Sequence, residues 1–136
     1  MSFKINSIKD AQTADIELKN PETGAPLGAT ITLMGPEHPT RKGLEFARQR
    51  ELRKGLQKTG KVQLGDPVED EEDAINELVA ITTGWTGITN DDDVAIPFSA
   101  GAARDLYNQE GLGWLRAQLF TAKNERERFI KNSAPA

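Results

Sequence analysis

The chain has 136 residues, 37% of them hydrophobic and 28% charged, with a formal net charge of −4 at pH 7, which is one domain's worth of chain with apolar material for one modest core. It contains no cysteine, which excludes a disulfide framework, a thiolate nucleophile and a Cys-based zinc site. Nowhere does an apolar run reach the ~18 residues of a membrane span, and Met1-Ser2-Phe3-Lys4-Ile5-Asn6 lacks the apolar core of a secretory signal, so a cytoplasmic protein without membrane contact is expected.

The first 35 residues read as β-structure. Asp15-Ile16-Glu17-Leu18-Lys19 and Thr30-Ile31-Thr32-Leu33 alternate polar and apolar at period two, and Asn20-Pro21-Glu22-Thr23-Gly24 between them has turn chemistry. This predicts a β-hairpin or small meander over 1–35, with Phe3 to Ile5 as a candidate third strand. Two strands alone are marginal in water, so one face must pack on a helix, or an open edge must be completed by a second molecule.

After Gly35-Pro36 a helix is predicted from Pro39 to Thr59. Leu44, Ala47, Leu52 and Leu56 form a narrow stripe, with Phe46 off it. A helix polar over most of its circumference bridges solvent or lies against something outside the core. Asp66-Pro67-Val68-Glu69 then supplies an N-cap, a proline at the first helical position and a capping-box glutamate. Ile75, Leu78, Val79 and Thr82 give that helix a core face, joined by Ala74 and Ile81, and Gly84 is read as its stop.

Ser99 is the expected N-cap of a helix over Ala100–Asn108, with Ala103, Leu106 and Tyr107 inward. Leu112, Leu115, Leu119 and Ala122 repeat at helical spacing beyond Gly111 and Gly113, with Trp114 and Phe120 widening the face. Glu125-Arg126-Glu127-Arg128 reads as a solvated helical surface and 132–136 as a frayed, disordered tail. The expected fold is therefore α+β, mainly α. Its N-terminal β-hairpin or meander (1–35) forms one domain with four to five helices (36–131).

The charge is unevenly spread. Arg41 to Lys61 holds eight basic residues against Glu45 and Glu51, and Asp66 to Glu77 holds seven acidic residues and none basic. Such abutting blocks pair internally, stay solvated or face a partner. Much of the acidic block suits a helix N-terminus on dipole grounds alone.

Catalytic chemistry is thinly represented. His38, the single histidine, has no nucleophile or orienting carboxylate beside it in sequence. Asn90-Asp91-Asp92-Asp93 suggests a hard cation, yet the calcium-loop pattern started at Asp91 places Ala95, Ile96 and Ala102 where an oxygen ligand, glycine and glutamate are needed. Glycines are scattered, with no phosphate loop. The 41–61 helix lacks the interleaved aromatics of a nucleic-acid platform, apart from Phe46. Trp85 and Trp114 read as packing anchors. No cofactor or metal is expected, and a binding or assembly protein outranks an enzyme.

Gly84-Trp85-Thr86-Gly87-Ile88, a short acidic turn, Ile96-Pro97-Phe98-Ser99 and Ala102-Ala103-Arg104-Asp105-Leu106-Tyr107 together resemble the tail assembly chaperones of long-tailed (siphovirus-type) bacteriophages and prophages. Gly111-Leu112-Gly113-Trp114-Leu115-Arg116-Ala117-Gln118-Leu119 is similar to the next segment of those proteins. Thr23-Gly24, Gly28-Ala29-Thr30-Ile31 and Glu45-Phe46-Ala47-Arg48-Gln49-Arg50 add to the likeness. One departure is a turn that often carries Asp-Gly and here reads Asp92-Asp93-Val94.

The resemblance implies a chaperone of the bacterial host cytoplasm. It would bind the tape measure protein, promote polymerisation of tail tube protein around it, and be absent from the mature virion. Frameshifting commonly gives such proteins a longer form. Arg48, Arg50 and Arg53 with Leu52 and Leu56 are the expected partner-binding residues, and Trp85, Pro97, Phe98 and Trp114 the structural corner. Two alternatives stay open: a nucleic-acid-associated phage or host protein using the basic 41–61 helix, and a metal-dependent enzyme using Asp91, Asp92 and Asp93.

Overall fold

Period-two alternation builds the sheet. In the computed structural model, which describes residues 4–5, 7–60 and 67–132, β1 (Ile8–Asp10) is followed by β2 (Thr13–Lys19) and β3 (Pro26–Met34). Strands β2 and β3 form an antiparallel hairpin with Ile16 opposite Ile31. Its turn is set by Asn20, whose Oδ1 accepts from the Glu22 and Thr23 amides at 2.9 and 3.3 Å, and by Gly24 at φ 75°, a region open to glycine without steric cost.

Next come α1 (Pro39–Thr59), α2 (Pro67–Ile81), β4 (Thr82–Thr86), α3 (Ala100–Asn108) and α4 (Gly113–Lys123). A 3-10 turn (Arg126–Phe129) and β5 (Ile130–Asn132) follow. The fold is α+β and mainly α. A three-stranded antiparallel sheet, ordered β2-β3-β4, is joined by four α-helices, with β1 paired to β5 in a separate ribbon.

The core is the inner face of the sheet, with Ile16, Leu18, Ile31 and Leu33 packed against Ile75, Leu78, Val79, Tyr107, Leu115, Leu119 and Phe129. The predicted inward faces of α2, α3 and α4 are the ones buried, with Ala74, Leu106 and Leu112 at the margin.

Several expectations are corrected. Residues 36–131 are not purely helical, because β4 lies within them and β5 begins at Ile130. The helix expected to run to a stop at Gly84 ends at Ile81, and Gly84 stands in β4 opposite Thr32. Thr82, Thr83 and Thr86 suit a strand, and β4 pairs antiparallel with β3. The third strand of the sheet is thus β4. Of the alternative at Phe3–Ile5, Phe3 lies outside the described residues and Ile5 sits in a turn, while the nearby strand is Ile8–Asp10. Asn132 belongs to β5, and the rest of the 132–136 tail lies outside the described residues, as does the Asp66 N-cap.

One polar contact is buried where α2 meets β4. The Thr82 hydroxyl donates to the Leu78 carbonyl at 2.7 Å and lies 2.8 Å from the Tyr107 hydroxyl. Threonine has one proton to give, so Tyr107 is the donor in the second bond. Burial pushes the phenol up to about 12. The phenol is neutral in both folded and unfolded chains below its ordinary value of 10.0, so its stabilising contribution is intact there. It is lost as pH rises from about 10 to about 12, because the unfolded chain ionises first. Tyr107 is the only tyrosine, so phenolate absorbance should titrate late and together with unfolding. A titration midpoint at the ordinary tyrosine value in folded protein would contradict this.

Candidate functional site

Helix α1 is well begun and well ended, yet it belongs to no core. His38 is its N-cap, with Nδ1 accepting from the Thr40 amide at 3.2 Å, and Pro39 follows at the first position. The single histidine is therefore engaged as a cap. Gly60 closes the helix at φ 68°, its amide donating to the Leu56 carbonyl at 2.7 Å. Between these ends none of the 21 residues is buried. Leu44, Phe46, Leu52 and Leu56 are 40, 50, 58 and 46% exposed.

Arg41 fastens the start of the helix to the body. The Arg41 guanidinium donates to the Met34 carbonyl and to the Lys123 carbonyl, both at 2.8 Å, and lies 5.9 Å from the centre of the Phe129 ring. Burial lowers its pKa from the ordinary value, with Glu77 and Glu45 opposing. Charge-assisted bonds of this kind contribute roughly 1.5–3 kcal/mol, and the ring contact adds about 0.5–1. Arg41→Ala should cost about 2–3 kcal/mol and speed amide exchange along α1 before it touches β3. Arg41→Lys should recover little, because a single ammonium lacks the planar fork that reaches both carbonyls. Unchanged exchange in α1 of Arg41→Ala would remove the anchor from this account.

Alongside α1 runs α2, and between them lies a groove of about 1110 Å³. Its apolar lining comes from Leu44, Leu52 and Leu56 on α1, Ala74 and Ala80 on α2, and Phe120 of α4. Arg48, Glu51 and Arg53 stand on the α1 wall, and Asp70, Asp73 and Glu77 on the α2 wall. The walls meet through Arg48 and Glu77 at 3.2 Å, and Lys123 reaches the same glutamate at 3.5 Å. Internal pairing of the two charge blocks goes no further among the described residues. Arg50, Arg53, Asp70 and Asp73 have no ion-pair partner among them.

Four of the five expected partner-binding residues, Arg48, Arg53, Leu52 and Leu56, are thus brought together in one groove, while Arg50 is exposed on α1 outside its lining. The acidic wall and Phe120 were not singled out from sequence.

The second candidate region, 85–98, is a folded-back loop. Trp85 and Phe98 pack edge to face, with centroids 5.1 Å apart and planes at 87°, and the Trp85 indole donates to the Ile96 carbonyl at 2.8 Å. Both rings are half-buried, Pro97 is exposed, and Trp114 is half-buried on α4. Trp85 sits on β4 and ties its own loop to the sheet. The Thr82–Tyr107 contact joins β4 to α3.

Asp91, Asp92 and Asp93 are exposed on the loop tip. Asn90 organises the tip, its Oδ1 accepting from the amides of Asp92 and Val94 at 2.9 and 3.1 Å. No group of three or more His, Cys, Asp or Glu is placed to hold a metal among the described residues. Asp93 has φ 61°, a left-handed conformation that strains a residue with a Cβ. The departure from an Asp-Gly turn therefore falls at the position where glycine fits best. Asp93→Gly should raise the stability by about 0.5 kcal/mol and the denaturation midpoint with it, the relieved strain exceeding glycine's extra unfolded-chain entropy. Asp92→Ala should stay within about 0.5 kcal/mol of the parent. A lowered midpoint for Asp93→Gly would count against strain at this position.

The amide of Gln118 brackets Lys19, accepting from its N–H at 3.0 Å and donating to its C=O at 2.7 Å. It occupies backbone groups that an added strand would use at the end of β2. No described helix is long and apolar enough to cross a membrane. Comparison with known proteins finds no matching family, no similar curated protein and no similar solved structure.

Proposed function

We propose that the chain is a tail assembly chaperone of a long-tailed bacteriophage or prophage. In this reading it works in the bacterial host cytoplasm, holding the tape measure protein soluble and extended while tail tube protein polymerises around it, and it leaves before the virion is complete. The observation that carries the reading is α1, a capped 21-residue helix with no buried residue, whose leucines line a groove beside α2. Exposed leucines beside a groove suit helix-in-groove recognition, the mode by which a holder takes an amphipathic segment reversibly. The motifs from Gly84 to Leu119 supply the identity of the client, by resemblance.

The test is co-expression. The tape measure protein is expected to be insoluble alone and soluble with this chain, and Leu52→Asp with Leu56→Asp should abolish the rescue. A tape measure protein that stays insoluble beside this chain and its tail-gene neighbours would overturn the proposal.

Nucleic-acid association is the second reading, favoured by one observation: Arg50 and Arg53 have no ion-pair partner among the described residues. Against it stands the acidic wall of α2 in the same groove, which repels phosphate. Retention of duplex DNA at moderate salt, with a steep salt dependence, would favour this reading over the chaperone.

A further inference from the structure

We infer that the groove between α1 and α2 seats a single amphipathic helix with acidic residues along one flank of its apolar stripe and basic residues along the other. This rests on the reading of the groove as a holder's site for a helical client, and it names the chemistry of that client.

The inference follows from how charge is distributed across the groove. At the end nearer Ala80 the walls neutralise each other through Glu77, which takes both Arg48 and Lys123. Elsewhere Arg53 lines the groove from α1 beside Glu51, which pairs with Lys54 at 3.8 Å, and Asp70 and Asp73 line it from α2, with no ion pair on Arg53, Asp70 or Asp73 among the described residues. Leu52 and Leu56 line the same groove, 58 and 46% exposed. A helix about 10 Å across, laid on those leucines, brings each of its flanks within a Debye length of about 8 Å of one wall. Its flank along α1 meets Arg53 and is favoured when acidic. Its flank along α2 meets Asp70 and Asp73 and is favoured when basic.

The same geometry argues against simpler occupants. A uniformly acidic helix gains at Arg53 and loses at Asp70 and Asp73. A second copy's α1, with seven basic residues against Glu45 and Glu51, gains at the aspartates and loses at Arg53. Mixed flanks alone satisfy both walls. Opposed walls also fix the direction in which such a helix lies, since reversing it exchanges the flanks. A holder that binds repeatedly along one long helical chain would thereby sit on it in one orientation.

Three synthetic helical peptides of about 21 residues, the length of α1, sharing one leucine stripe, test this. One carries Glu on one flank and Lys on the other, one carries Glu on both flanks, and one carries Lys on both. Titrated onto the full chain by fluorescence anisotropy, the mixed peptide is expected to bind about tenfold tighter than either uniform one, the scale of a few partly screened ion pairs. Asp70→Lys with Asp73→Lys should move the preference to the all-Glu peptide. These aspartates are exposed, so the fold should survive, and circular dichroism checks that it does.

Equal binding of all three peptides, no binding of any, or a preference that ignores the wall reversal would each overturn the inference. So would dimerisation of the chain that Leu52→Asp abolishes, since a second copy would then be the occupant. The chaperone reading is judged separately, by whether the wild-type chain rescues the tape measure protein. Rescue combined with indifferent peptides would sink the charge pattern and leave the chaperone standing.

Discussion

Gly87→Ala is expected to cost about 2–5 kcal/mol, a large share of the stability of a domain this size. Gly87 follows β4 at φ 74°, where a Cβ costs roughly 1–2 kcal/mol on backbone grounds. The added carbon would also fall inside van der Waals contact of the Gly28 carbonyl oxygen, and 3.0 Å from the Ala29 Cα. Both neighbours are backbone of β3, which cannot swing aside as a side chain does, so relief means shifting a strand, and overpacking of that kind costs about 1–3 kcal/mol more.

Gly28→Ala provides the control. Gly28 has φ 76° and nothing within 4 Å of a built Cβ, so it bears the conformational cost without the collision. Urea denaturation should place the Gly87 variant well below the Gly28 variant. Equal midpoints would show that the close approach of Gly87 to β3 contributes nothing.

Gly87 also shows what can be read in this chain without coordinates. It stood in the sequence as part of Gly84-Trp85-Thr86-Gly87, a motif recognised by likeness and interpreted as a helix stop. The stretch is instead the third strand of the sheet, with its second glycine spaced for contact with β3. Nothing local says so, because Thr82 to Thr86 is compatible with a helix end or a strand. The pairing with Thr30 to Leu33 that decides between them lies some fifty residues away. Where the signal was local, reading succeeded. The bounds of α1 followed from Pro39 and Gly60, and the Ser99 cap from its position before Ala100, with Ala102 donating to its hydroxyl at 3.0 Å.

The groove was half legible for the same reason. A helix too polar to be buried announced itself through its narrow leucine stripe and its arginines. Its opposing wall depended on how α2 folds back along α1, which no periodicity encodes. That wall changes the chemistry of the site. From the sequence α1 looked like a basic surface suited to an acidic partner, whereas Asp70, Asp73 and Glu77 make the groove bipolar. The third strand and the acidic wall were both hidden by the same thing, a contact between segments that carry no mark of each other.

Phe129→Ala should produce a loss of about 3–5 kcal/mol, the usual cost of truncating a fully buried aromatic. It should also have a second effect at a distance. Phe129 directly follows Glu125 to Arg128, which read as a solvated helical surface because they alternate in charge, yet it is 0% exposed. Its backbone carbonyl accepts from the Ala11 amide at 2.6 Å. Its ring lies so near Gly35 that a Cβ there would stand 2.9 Å from its Cδ1.

The other neighbour of the ring is the Arg41 guanidinium, which fastens α1. Removing the ring therefore takes away core area and the platform of the α1 anchor together. Phe129→Leu separates the two, since it keeps most of the apolar volume but has no ring to attract a cation. Phe129→Leu should be much milder than Phe129→Ala in denaturation, while still loosening α1 in hydrogen exchange. Combined with Arg41→Ala it should show a coupling of about 0.5–2 kcal/mol. Strict additivity of the two substitutions would mean that Arg41 holds α1 through its two carbonyl bonds alone and that the groove is positioned without help from Phe129.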